Sequence, residues 1–241
     1  MTTAASIQQW VKSRDGVLAD TLFRVAMTVR HASMPVIPSV HGTLYAMHRA
    51  VSGGWANFTR IFWYTPLFQS RLEKPAPRLY CYSGMPLVLG AVNMSFGDRV
   101  RISGHTTISG RGASTPTPRL VVGNNVDIGW QTTIAVGSRI AIGNNVRIAG
   151  RAFLAGYPGH PLDAAARAAG APDTADQIGD IVLEDDVWLA TGVTVSAGVR
   201  IGQGTVVAAG SVVTRDLPSG VLAAGVPARV VRVLANGEAS S

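Results

Sequence analysis

A six-residue rhythm of aliphatic positions organises the C-terminal half of the chain. Its clearest run consists of Leu183, Leu189, Val195, Ile201, Val207 and Val213. Smaller side chains follow four residues after the first five, at Val187, Val193, Val199, Thr205 and Ser211. Because six is three times the strand period and fits neither a helical face nor a heptad, each hexad predicts a short strand plus a corner. Three such hexads close a triangular coil, and stacked coils would bury the aliphatic side chains in one core.

The same rhythm continues upstream with two interruptions. It contains Phe96, Ile102 and Ile108, then Val122, Ile128 and Ile134, and after a two-residue slip Ile142, Ile148 and Leu154. The first interruption is "GRGASTPTPRL", and the second, much longer, contains "YPGHPLDAAARAAG". Segments that leave a repeat need not serve its core, so these loops are the first places to look for functional residues.

The N-terminal third of the chain has helical spacing instead. A stripe of Leu18, Leu22, Val25, Ala26 and Val29 predicts one helix, which closes before Pro35 and Pro38. A second, short helix is predicted over "GTLYAMHRAV", ahead of "SGG" and the aromatic-rich "WANFTRIFWYTPLF". We expect this aromatic segment to pack against the next domain or another subunit, with a lipid interface as the alternative.

A proline-containing linker, "EKPAPRL", separates the two regions, because proline resists both helix and ladder. The predicted organisation is an α-helical N-terminal region over 1–78 and a β-helix domain over 79–235. An excursion loop over 155–181 interrupts that domain, and residues 236–241 form a flexible tail.

Composition restricts the class of protein further. Hydrophobic residues make up 47% of the chain and charged residues 15%, with 27 glycines, which favours a folded, strand-rich protein. The single cysteine, Cys81, and a start without an apolar signal core indicate a reducing cytoplasm. Charged residues interrupt the most apolar region, so no membrane-spanning helix is expected. Peripheral contact with the inner membrane face stays open.

The net charge of +7 allows nucleic acid, anionic lipid or a phosphorylated small molecule as a partner. The arginines are scattered, and no aromatic-basic nucleic-acid motif is present. Nucleic acid is therefore the least favoured of the three partners.

The hexads, the loop "GHPLDAAARAAG" and the segment from Ile181 to Arg232 resemble the hexapeptide-repeat acyltransferases, above all the maltose and galactoside O-acetyltransferase branch. The resemblance covers about Leu87 to Arg232 and leaves out the N-terminal helices. It implies a left-handed parallel β-helix, acetyl-CoA as co-substrate without a metal, and a homotrimer with active sites between subunits.

The resemblance also implies roles for individual residues. His160 would be the general base, a task that suits imidazole, and the Thr191 N–H would stabilise the oxyanion. The pantetheine arm would lie along Trp188, Ala190, Thr191 and Ala209. Near the nucleotide phosphates the resemblance places Arg215, Arg229 and Arg232. As alternatives, Trp188 would be a capping aromatic on the triangular stack of coils, the prism, and Arg229 and Arg232 would only cover its last coil.

Acceptor-binding candidates are Trp130, Ser138, Tyr157 and Asp163. Trp130 and Ser138 stand where the sugar branch holds an asparagine and an aspartate, so a different acceptor is expected. Asp163 has a competing role as a helix cap, and His105 is interpreted as structural or solvated. With the unrelated N-terminus, these departures favour similarity to O-acetyltransferases of bacterial surface polysaccharides or their lipid-linked precursors.

The sequence thus predicts an acetyl-CoA-dependent O-acetyltransferase acting by direct transfer on a saccharide hydroxyl. Three alternatives stay open: N-acetylation of an amino sugar, a zinc enzyme resembling γ-carbonic anhydrases, and a non-catalytic scaffold. The zinc enzyme would need three converging histidines, whereas only His105 and His160 lie in the repeat region.

Overall fold

The computed structural model describes residues 3–112 and 114–234. The predicted tail over 236–241 lies outside the described residues. By its contacts the chain divides into two units, residues 1–52 and residues 53–241.

Helices occupy the N-terminal part up to Gln69. They are α1 (Thr3–Ser13), α2 (Val17–His31), α3 (Pro38–Thr59), a single π-helical turn (Arg60–Tyr64) and α4 (Thr65–Gln69). The prediction of a short helix ending before Gly53 and Gly54 is wrong, because α3 runs through both glycines. A glycine inside a helix costs only about 1 kcal/mol relative to alanine, and neither residue adopts a positive φ here.

Three sheets form the rest of the chain. The first face contains β1 (Tyr80–Tyr82), β4 (Arg101–Ser103), β7 (Asp127–Ile128), β10 (Arg147–Ile148), β13 (Trp188–Leu189), β16 (Val206–Val207), β18 (Val221–Gly225) and β19 (Ala228–Val233). The second face contains β2 (Leu87–Leu89), β5 (Thr107–Gly110), β8 (Thr133–Val136), β11 (Phe153–Ala155), β14 (Thr194–Ser196) and β17 (Val212–Val213). The third face contains β3 (Asn93–Phe96), β6 (Arg119–Val122), β9 (Arg139–Ile142), β12 (Ile181–Leu183) and β15 (Arg200–Ile201).

The chain visits the three faces in the same order in every coil. Each strand pairs in parallel with the strand one coil away, as β7, β10 and β13 do through Ile128, Ile148 and Leu189. The one antiparallel pair among the described strands joins β18 and β19 at the end of the stack. The predicted left-handed parallel β-helix preceded by helices is confirmed.

The hexad residues fill the interior of this prism. All six aliphatic residues from Leu183 to Val213 are at most 1% exposed. Thr205 and Ser211, the polar members of the small slots, are also buried, and each has a hydrogen-bond partner in the chain that follows β17. The Thr205 hydroxyl donates to the Pro218 carbonyl at 2.6 Å, and the Ser211 Oγ accepts the Gly225 N–H at 3.1 Å.

A polar ladder follows the corner between the third and first faces. The Asp98 N–H donates to Asn124 Oδ1 at 2.8 Å, and the Asn124 N–H donates to Asn144 Oδ1 at 2.9 Å. One coil further, the Asn144 N–H donates to Asp185 Oδ1 at 2.7 Å. These bonds to the charged form lower the pKa of Asp185 below its ordinary value.

Three aromatic side chains around the end of α3 stay outside the core, whereas Phe68 of α4 is buried in it, with its ring centroid 5.7 Å from that of Phe96. Trp55, Phe58 and Phe62 form a stacked series, the aromatic ladder, with ring centroids 5.7 Å and 4.9 Å apart. Their side chains are between 53% and 66% exposed. In the described part of the chain, none of the helices has the length and apolarity that crossing a bilayer requires.

Candidate functional site

The corner between the first and second faces carries one group of predicted site residues. We call it the Thr191 edge. The second residue of each tight corner turn stacks in one column, which contains Trp130, Gly150, Thr191 and Ala209. Backbone bonds connect the column: Trp130 O accepts the Arg151 N–H at 2.8 Å, Gly150 O the Gly192 N–H at 3.0 Å and Thr191 O the Gly210 N–H at 2.9 Å.

The Thr191 turn leaves an amide available to a ligand. The next residue, Gly192, has a φ of +73°, a conformation that glycine adopts without strain. No acceptor among residues 3–112 and 114–234 receives the Thr191 N–H. The same holds for the amide of Gly150 one coil earlier, so the free N–H is a property of the corner. Choosing Thr191 over its neighbours therefore rests on the resemblance.

The terminal hairpin brings an arginine to the end of this edge. Arg229 of β19 pairs with Ala224 of β18. The next residue, Gly225, donates its N–H to Ser211 Oγ, two residues after Ala209 of the column. Arg232 lies further along β19, opposite Leu222. Neither guanidinium has an acidic partner within salt-bridge distance among the described residues. Arg229 Nη1 donates to the Ala228 carbonyl at 2.8 Å, which leaves its other N–H groups, and the guanidinium of Arg232, to bind phosphate oxygens.

The corner between the second and third faces carries the other group, and we call it the His160 edge. The excursion leaves β11 after Ala155 and returns at β12, so His160 belongs to this corner. The His160 imidazole is exposed, and its backbone is held on both sides. The N–H of Gly159 donates to Asp173 Oδ2 at 3.1 Å, and Gln177 Nε2 donates to the His160 carbonyl at 3.4 Å.

Three other predicted residues of this group already have partners. The Asp163 carboxylate accepts the Ala166 N–H at 2.7 Å and caps α5 (Ala164–Ala168), as its alternative role required. The Tyr157 hydroxyl donates to Ser109 Oγ at 3.0 Å, which lays the start of the excursion against the second face. The Ser138 hydroxyl donates to Asp180 Oδ1 at 2.5 Å.

A buried ion pair at the His160 edge escaped the sequence analysis. Arg111 follows β5 in the first interruption, and Asp173 lies near the end of the second. Their side chains are 9% and 3% exposed. Arg111 Nε donates to Asp173 Oδ1 at 2.5 Å, and Nη2 donates to the Asp173 carbonyl at 2.6 Å. The available signal was that both interruptions fall at the same corner, two coils apart.

The two groups thus occupy different edges of the prism. Trp130, Ala190, Thr191, Ala209 and Arg229 lie at or next to the Thr191 edge, with Trp188 beside it on β13. Ser138, Tyr157, His160, Asp163 and Arg215 lie at the His160 edge. His105 is exposed at the corner between β4 and β5, which belongs to the Thr191 edge. Within the described residues, His, Cys, Asp and Glu form no group of three that could hold a metal ion.

A family model described as "Bacterial transferase hexapeptide (six repeats)" matches residues 180–215. This match begins at the return of the excursion and ends at Arg215. A search of curated proteins finds no match for the chain.

Solved structures share the fold. A single-site variant of AntD, an N-acyltransferase from Bacillus cereus in complex with dTDP-4-amino-4,6-dideoxyglucose and coenzyme A, has a TM-score of 0.55 and 18% identity, over 70% of this chain and 88% of that one. AntD in complex with dTDP and 3-hydroxybutyryl-CoA has a TM-score of 0.54 and 15% identity, over 70% of this chain and 87% of that one. A hexapeptide-repeat acetyltransferase from Vibrio cholerae with acetyl-CoA is 29% identical over 66% of both chains, with a TM-score of 0.38. The resemblance expected from the hexads is confirmed by the repeat match and by the fold.

Proposed function

We propose that this chain, with its bacterial-transferase hexapeptide repeats, is an acetyl-CoA-dependent acyltransferase that uses His160 to acetylate a saccharide hydroxyl. The carrying observation is the exposed imidazole at the His160 edge, held through its backbone on an excursion from the prism. A solvated base on a rigid support can meet a hydroxyl without competing intramolecular partners.

His160 would accept the acceptor's hydroxyl proton while the oxygen attacks the thioester carbonyl carbon. The carbonyl electron pair moves onto oxygen, and the free Thr191 N–H would donate to that oxyanion. As the C–S bond breaks, His160 returns the proton to the departing sulfur. Proton and electrons therefore balance without a covalent enzyme intermediate.

A second copy of the chain would complete this site. His160 and Thr191 lie on two different edges, and the full second face separates them within one chain. A four-residue strand such as β8 spans about 13 Å at about 3.3 Å per residue. In a closed cyclic trimer, the His160 edge of one subunit would face the Thr191 edge of the next.

The Thr191 edge fits acyl-CoA as co-substrate. Small residues lie at the end of its column and beside it, at Ala190, Ala209 and Gly210, and they allow a thin pantetheine arm to approach the backbone. Arg229, free of acidic partners in the described chain, stands beyond that end as a phosphate-binding group. From the other edge, Arg215 of a neighbouring subunit would join it.

The His160→Ala variant tests the proposal. Thiol release from acetyl-CoA, measured during a screen of mono- and oligosaccharide acceptors, should fall by about 10²–10⁴-fold with the best acceptor. The matched control is His31→Ala, which removes an exposed histidine from the end of α2 and should retain activity. Wild-type rates in His160→Ala, with an acceptor that the wild-type protein acetylates, would refute the role of His160.

Amine acceptors are the second candidate class. AntD, with the same fold, is an N-acyltransferase that binds an amino-sugar nucleotide. The same base would serve an amine, so the acceptor screen includes amino sugars. A base-labile product indicates an ester, and a base-stable product an amide.

We also propose that the aromatic ladder rests on an anionic membrane surface. Residues 53–69 contain no Asp or Glu, and the three rings of the ladder are exposed. The basic residue of this segment, Arg60, has its guanidinium over the Tyr80 ring, 4.4 Å from the centroid. Aromatic and basic side chains without acidic ones are typical of helices in the lipid interface.

Vesicle sedimentation tests this contact. Wild-type protein should bind vesicles that contain phosphatidylglycerol more strongly than pure phosphatidylcholine, and Phe58→Ser with Phe62→Ser should lower binding about tenfold. Val29→Ser, at a similarly exposed apolar position of α2, is the control. Unchanged vesicle binding in the double variant would refute the membrane contact, and a lower oligomeric state would instead identify the ladder as a contact between copies.

A further inference from the structure

The buried pair of Arg111 and Asp173 joins the two segments that interrupt the repeat. Arg111 follows β5 and Asp173 lies in the excursion that follows β11, so the pair bridges two coil steps along the His160 edge. The loop that contains Arg111 also contacts the coil between the two interruptions. Its Ser114 Oγ donates to the carbonyl of Gly137, which follows β8, at 2.8 Å. Arg111 Nη1 in turn donates to Ser114 Oγ at 3.3 Å.

Every oxygen of Asp173 that can accept is used. Oδ1 and the backbone carbonyl receive Arg111, and Oδ2 receives the N–H of Gly159. Gly159 has a φ of +84° and directly precedes His160. The path from the rigid prism to His160 is therefore Arg111, Asp173, Gly159, without an intervening flexible segment.

Stability alone does not explain a buried ion pair. Desolvating two charges costs several kcal/mol, and well-packed apolar side chains in their place are often as stable or more stable. A carboxylate that binds a guanidinium on one side and an amide on the other fixes direction as well as distance.

We infer that Arg111 and Asp173 are positioning residues for His160. They fix the backbone at Gly159, and with it the direction in which the imidazole leaves the loop. The inference rests on the proposed function of His160 as the base. It predicts a loss in kcat rather than in affinity for acetyl-CoA, because the groove assigned to that substrate lies on the other edge.

The decisive variant replaces both charges at once, as Arg111→Met with Asp173→Leu. Single replacements leave a buried charge unpaired and would destabilise the fold, whereas the double replacement should keep the wild-type melting temperature within a few degrees. Its kcat should still fall about 10–100-fold with an unchanged KM for acetyl-CoA, because the Gly159 N–H has lost its acceptor. Amide exchange of Gly159, followed by NMR, should accelerate at least tenfold.

The control is Arg119→Met, which breaks the exposed pair between Arg119 and Glu73 at 2.7 Å and should leave kcat unchanged. Wild-type kcat in the folded double variant, with His160→Ala inactive, would overturn the positioning role alone. Wild-type activity in His160→Ala would instead overturn the proposed function. The exchange rate of the Gly159 amide would still report whether Arg111 and Asp173 hold the loop.

Discussion

The indole of Trp130 rests on the backbone of Gly150, one coil along the Thr191 edge. A Cβ atom on Gly150 would lie 2.6 Å from both Cε2 and Nε1 of the ring. The ring is 49% exposed, so its other surface is free. Glycine in the column thus gives Trp130 a flat support next to the turn that carries Thr191.

We expect Gly150→Ala to displace this ring. The φ of Gly150 lies outside the left-handed region, so alanine suits the backbone and only the contact with Trp130 changes. Overpacking of this kind lowers the free energy of unfolding by about 1–3 kcal/mol. Chemical denaturation measures the loss, and the Trp130→Ala background should remove most of it. A cost of equal size in that background would show that the ring does not rest on Gly150.

Mixed oligomers should recover activity that neither parent has. His160→Ala disables the His160 edge, and Ala209→Trp would fill the groove at the Thr191 edge. If each site combines edges of two subunits, one site in four of a randomly mixed 1:1 oligomer has both edges intact, so about a quarter of wild-type activity should return.

The recovery is measured on the whole mixture after joint refolding of the two chains; mixed trimers purified from it through different tags should have one site in three intact. Unmixed parents refolded alone are the control. Hybrids as inactive as the parents would show that one chain supplies both edges.

The prism could be predicted because its repeat is the core itself. A buried hexad position such as Ile201 must be aliphatic in every coil, so the period appears directly in the sequence. The division of the candidate residues between two edges was not visible in the same way. It depends on which corner each residue occupies, and the two-residue slip before Ile142 hides the register.

Contacts made by the loops could not be predicted from the period. Arg111 and Asp173 are 62 residues apart, and no periodicity relates them. The prediction of the second helix was wrong for a different reason. Helix propensity is a weak signal, and Gly53 and Gly54 suggested a break that α3 does not have. Of the aromatic segment, Phe68 packs in the core beside Phe96, whereas the ladder is exposed in the described chain, so packing of the ladder against another subunit stays a prediction.

Cys81 should resist thiol reagents in the folded protein. Its side chain is fully buried, and burial raises the pKa of the thiol to about 11. Since the thiolate is the reactive form, labelling by a disulfide reagent at pH 8 should require unfolding. Labelling measured across a urea series should follow the unfolding transition. Rapid stoichiometric labelling without denaturant would contradict the buried site.

The same thiol should make stability depend on alkaline pH. Because folding raises its pKa, its contribution is complete below the ordinary value of 9.0 and is lost as pH rises towards about 11. Relative to Cys81→Ala, the wild-type protein should lose about 2 kcal/mol of unfolding free energy over that window. A constant difference between the two proteins from pH 8 to pH 11 would refute the shift.

Asp185 should give the opposite dependence at acid pH. The Asn144 backbone N–H at 2.7 Å and its side-chain amide, 3.1 Å from Oδ2, hold the pKa of Asp185 below the ordinary 3.8. A carboxyl with a lowered pKa stabilises the fold above its unfolded value, and that contribution disappears as pH falls through the folded value. The advantage of the wild-type protein over Asp185→Asn should therefore be full at pH 7 and vanish in strong acid. Denaturant titrations at pH 7, 4 and 2.5 measure this advantage. If it persists unchanged at pH 2.5, the negative charge of Asp185 is not what stabilises the polar ladder.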